Sequence, residues 1–130
     1  MLRFYLHLLL FLAGSFLCSA CRKPDPEPVL PAIPAETKPG TTLTANPDPI
    51  VVDDGGTLGE TTLSWSTTAS RIEVHIDTPD GQLFGVGNAR GTMRTGKWVK
   101  NGMTFYLQDA TNPKPGSADA TLGKLQVVLQ

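Results

Sequence analysis

Three groups of residues in this 130-residue chain have types and spacings that could do chemistry. Cys18 and Cys21, its two cysteines, form the C-x-x-C of CSAC, a spacing used by redox pairs and by half of a zinc site. His75 stands two residues before Asp77, and a serine such as Ser64 would complete a hydrolytic triad. Asp53, Asp54 and Glu60, or Asp77 and Asp80, offer carboxylates of the kind that hold calcium.

The surroundings argue against all three. A thioredoxin-like pair opens a helix inside a βαβ unit, whereas CSAC follows an apolar run and precedes proline-rich chain. Zinc takes four ligands, and beyond the cysteines only His7 and His75 are on offer as histidines. His75 and Asp77 fall on one face of a strand, the face turned to solvent, so His75 reads as an exposed polar residue. The acidic groups lack the D-x-D-x-D-G spacing of a calcium loop and suit turns instead. No catalytic residue, metal or cofactor is expected.

The apolar run explains the cysteines. MLRFYLHLLLFLAGSFL carries one positive charge, Arg3, and then about a dozen apolar residues, short of the ~20 that span a bilayer. A positive start, a short apolar stretch and small residues make a secretory signal peptide. Leu17-Cys18-Ser19-Ala20-Cys21 resembles the lipobox of bacterial lipoproteins, with Cys18 at the position where that family usually has Leu. The resemblance implies cleavage after Ala20, a diacylglyceryl group on the Cys21 thiol and a further acyl chain, such as palmitate, on its amino group. Leu17 is too large to precede the modified residue, so Cys18 is not the acceptor. Two or three acyl chains make an effectively permanent anchor. The processed chain keeps one cysteine and forms no disulfide. Arg22, rather than Asp, follows the anchor and suits an outer-membrane address in a Gram-negative cell.

Composition then divides the rest. Residues 22–40, RKPDPEPVLPAIPAETKPG, are rich in proline, which removes backbone donors and favours extended chain. The expected organisation is a signal peptide over 1–20, a lipidated cysteine and tether over 21–40, and one folded domain over 41–130. Eleven Lys plus Arg against twelve Asp plus Glu leave a net charge of −1 without any basic block, which excludes nucleic acid as a partner.

The domain reads as strands separated by turn signals, the pattern of an all-β sandwich of about seven strands. Expected strands are TTLTA (41–45), IVV (50–52), TTLSWS (61–66), RIEVHID (71–77), QLFGVG (82–87), a short broken segment within 89–99, MTFYLQD (103–109) and KLQVVLQ (124–130). Thr78-Pro79-Asp80-Gly81 is expected to turn a hairpin, with Gly81 supplying positive φ. Alternation sends Phe105 and Leu107 inward and Tyr106 and Gln108 outward.

Asn46-Pro47-Asp48-Pro49, Thr62-Leu63-Ser64-Trp65, Gly96-Lys97-Trp98-Val99 and Gly102-Met103-Thr104-Phe105-Tyr106-Leu107 together resemble a family of bacterial immunoglobulin-like domains. The likeness covers nearly all of 41–130 and implies a single immunoglobulin-like β-sandwich, found in envelope proteins and beside glycan-related modules. It brings no catalytic residues. Phe105 stands where fibronectin-like sandwiches carry a corner tyrosine, which leaves Leu63, Trp65 and Phe105 as the expected centre of the core. The functional expectation is a membrane-anchored, non-catalytic module for binding, adhesion or scaffolding at the cell envelope. The alternative is a glycan-binding accessory domain using exposed aromatics, Trp98, Tyr106 and Phe84. The expected partners are the membrane, through lipid on Cys21, and an envelope protein or glycan.

Overall fold

The structure is a computed structural model and describes residues 31–52 and 55–130. The expected signal peptide, Cys18, Cys21, the first part of the expected tether, Asp53 and Asp54 lie outside the described residues.

Six strands make the fold: β1 (Glu36–Thr37), β2 (Thr42–Asn46), β3 (Thr62–Ile76), β4 (Gln82–Arg94), β5 (Thr104–Asp109) and β6 (Thr121–Gln126). All pairings are antiparallel, in the order β1-β6-β5-β3-β2, with β4 also paired to β3. The protein is an all-β, immunoglobulin-like sandwich built from one sheet that folds over itself.

Strand β3 makes that fold-over possible. Its first part, Thr62–Ser66, pairs with β2, and its last part, Ile72–Ile76, pairs with β5. Because β4 accompanies both parts, β2 and β5 share the opposite edge of β3. A register shift between Ser66 and Arg71 leaves an irregular stretch where β3 passes from one layer to the other. The expected break at 67–70 is therefore a bulge within a continuous strand. Thr67, Thr68, Ala69 and Ser70 contain no Gly or Pro to stop extended chain. The segments 82–87 and the first part of 89–99 are likewise one strand, β4, in which Gly87 and Gly91 do not break the chain but leave room for Trp65. Of the expected strand at 50–52, Ile50 makes one parallel bridge to Leu129. Glu36 and Thr37, in the segment read as tether, pair with Lys124 and Gly123 of β6.

The expected centre of the core is present. Leu63, Trp65 and Phe105 are buried together with Leu43, Ile72, Val74, Leu107, Leu125 and Val127. Trp65 shows how the two layers fit. Its indole lies over β4, where Gly87 and Gly91 leave room; a Cβ on either would stand 2.6 Å from Trp65 Cζ2. The indole Nε1–H donates to the Asn88 carbonyl at 2.9 Å, so the only polar atom of the ring is satisfied as it is buried.

Gln108 departs from the alternation. It is 0% exposed, because the chain between β5 and β6 folds back over it. Its Nε2 donates to the carbonyls of Pro115 at 2.9 Å and Ser117 at 3.0 Å.

Candidate functional site

The β3–β4 hairpin holds the residues with the most chemistry. The turn closes with Gly81 N–H donating to the Thr78 carbonyl at 3.0 Å. Gly81 does not take positive φ there; Asp77 does, at φ 69°. What requires glycine at 81 is space, since a Cβ would lie 2.1 Å from the Ile76 carbonyl oxygen.

His75 is not an exposed polar residue. Its side chain is only 12% exposed, with Nδ1 2.7 Å from the Gly81 carbonyl and Nε2 2.9 Å from Glu73 Oε2. Both ring nitrogens therefore face acceptors, an arrangement that only the doubly protonated ring satisfies. Burial is the largest single influence and opposes the charge. The Gly81 carbonyl, the Glu73 carboxylate and the Asp80 charge together outweigh it, raising the His75 pKa above its ordinary 6.5. With the folded value above the unfolded one, protonation favours the fold. That contribution is complete below about pH 6.5 and lost as pH rises through the folded value. Thermal unfolding scanned across this window should show Tm falling with rising pH, and His75→Gln should flatten that slope.

The triad is not assembled. Ser64 pairs with Thr44 and Thr92 in one part of β3, whereas His75 pairs with Leu83 and Tyr106 in the other. Asp77 is engaged with β5 instead, its N–H donating to the Thr104 carbonyl at 2.8 Å and its Oδ1 accepting from the Thr104 N–H at 3.5 Å. Among the described residues no group of three or more His, Cys, Asp or Glu could hold a metal ion. Glu60 is engaged by Arg94, and Asp80 accepts from the Thr78 hydroxyl at 3.0 Å.

The three aromatic residues separate into two places. Phe84 and Trp98 meet edge to face, with centroids 5.3 Å apart at 71°. Both also lean on Phe105, at 6.1 and 6.3 Å. They line an open cleft of about 580 Å³ together with Leu83, Asp77, Gln82 and Lys100. Tyr106, next to Phe105 in β5, points to the other face. There it belongs to a cross-strand row of Leu83, His75, Tyr106, Lys124 and Glu36, whose last two members form an ion pair at 3.3 Å.

A third feature was not visible in the sequence. Among the described residues β4 pairs with β3 alone, and its Leu83 and Val86 are 50% and 57% exposed. Periodicity places Val86 in a strand and says no more, since it reports faces and not neighbours.

No protein-family model matches the chain, and no curated protein and no solved structure matches it.

Proposed function

We propose that this chain is a lipid-anchored, non-catalytic binding module of the cell envelope. An immunoglobulin-like domain is held at the membrane by acyl chains on Cys21 and kept clear of the surface by the proline-rich segment. In a Gram-negative cell the outer membrane is its address. The observation that supports a docking role is the pair of half-exposed apolar side chains, Leu83 and Val86, on a strand with one open edge. The conversion of His75 into a hydrogen-bonded brace for the hairpin supports the non-catalytic part.

The anchor is tested by expressing the full chain in bacteria fed an alkyne analogue of palmitate. The wild type and Cys18→Ser should carry label and sediment with membranes. Cys21→Ser should lose the label and appear in the soluble fraction. Undiminished labelling of Cys21→Ser would overturn the assignment.

A second reading, glycan recognition, draws support from the cleft. An aromatic floor of Phe84 and Trp98 beside Asp77, Gln82 and Lys100 offers stacking area together with donors and acceptors for hydroxyl groups. In that reading Tyr106 takes no part, because it lies on the other face of β5.

A further inference from the structure

We propose that the open edge of β4 binds an extended, acidic segment of a partner protein by adding it to the sheet as a further strand. The inference rests on the docking role above, names the partner's chemistry, and does not depend on the anchor.

Strand β4 has 13 residues, against the five or six of an ordinary strand. Its neighbour in the sheet is β3 alone, and no backbone hydrogen bond ties its other side to a loop among the described residues. A row of unpaired N–H and C=O groups is a template for another chain. Natural sheets blunt such edges by keeping them short, or with Pro, Lys or a covering segment. β1, at the far end of this sheet, is short, with two residues. β4 is long and has no Pro; of the other such devices, charges and bulges, it carries two arginines and a register shift beside Val74 and His75 near its beginning.

The side chains select the occupant. Leu83 and Val86 expose apolar surface near the beginning of β4, and Arg90 and Arg94 are exposed further along it. No Asp or Glu lies within 82–94. Glu60 engages Arg94, while Arg90 is in no ion pair with a described residue. A second copy paired edge to edge would bring two such strands together, all cations and no carboxylate, and like charges facing each other destabilise a pair. An incoming strand with carboxylates opposite Arg90 and β-branched residues opposite Leu83 and Val86 meets both requirements. Main-chain bonds would supply affinity and these side chains the selection.

The test uses the purified full chain and three short acetylated peptides. In one, the residues of a single face run from valine at one end to glutamate at the other, with threonine on the opposite face; in the second, lysine replaces the glutamates; in the third, the glutamates stay and proline replaces the threonines. Amide hydrogen exchange is followed residue by residue. The glutamate peptide should slow exchange of the outward amides of β4 at least about tenfold. The lysine peptide should bind about tenfold more weakly, and the proline peptide should leave β4 unprotected. Arg90→Glu, an exposed change that should leave the fold intact, should reverse the preference between glutamate and lysine. The proposal is overturned by protection centred outside β4, by equal binding of the proline or lysine peptide, or by no binding. Concentration-dependent protection of β4 without peptide would identify a second copy instead and overturn it equally. None of these outcomes bears on labelling of Cys21, so failure of the anchor and failure of the edge are separable.

Discussion

Trp65→Ala is expected to lower the stability of the domain by about 3–5 kcal/mol, the range for removing a buried aromatic side chain. The size of the effect follows from where the indole sits. It is among the buried residues that join the two layers, and it covers the backbone of Gly87 and Gly91. Truncation opens a cavity that those glycines cannot fill, and the Asn88 carbonyl loses its donor. Small domains have total stabilities of roughly 5–15 kcal/mol, so the variant should lose a large share of its stability at room temperature. Urea unfolding followed by circular dichroism measures it, with the midpoint shifting while the slope stays constant. The reciprocal change, Gly91→Val, should cost about 1–3 kcal/mol by overpacking, because its side chain must displace Trp65 Cζ2. A Gly91→Val variant as stable as the wild type would show that the indole does not rest on β4.

Gln108→Glu should be nearly as damaging at neutral pH, by about 3–5 kcal/mol. The wild-type amide points Nε2 at two carbonyl oxygens from a fully buried position. A carboxylate there faces acceptors with no donor, and it is desolvated as well. Burial favours the neutral acid, whose hydroxyl can donate to one of the two carbonyls. The loss should therefore shrink as pH falls, giving a stability profile that rises toward acid relative to wild type. Gln108→Leu removes both hydrogen bonds without adding charge, and it should cost about 2 kcal/mol with no such pH dependence. Urea midpoints of the two variants at pH 5 and pH 8 separate these cases.

These residues also show what periodicity can and cannot say. Alternation places Phe105 and Leu107 in the core, where they are buried, because a two-residue period maps directly onto the two faces of a strand. The same rule sent Gln108 outward. It does lie next to Leu107 with the opposite expectation, but burial there comes from chain folded over the face, which no local pattern records. His75 was missed for a similar reason. Its partners, Gly81 and Glu73, are close in sequence, yet their convergence depends on the hairpin tip closing back onto the strand. The turn at Thr78–Gly81 was legible from Pro79 and Gly81, although the left-handed residue is Asp77. Phe84 and Trp98 were legible as aromatics and not as neighbours of Phe105. Least legible was the open edge of β4, since whether a strand has one neighbour or two is a property of topology.

The proposal that this domain acts by docking through that edge can be tested in the envelope membranes proposed as its location. Amide hydrogen exchange would be measured for the chain in isolated envelope membranes and for the same chain purified in detergent. The account predicts that the outward amides of β4, between Leu83 and Arg94, exchange at least about tenfold more slowly in the envelope, while those of β2 exchange alike in both. Equal exchange across β4 in the two preparations would contradict it.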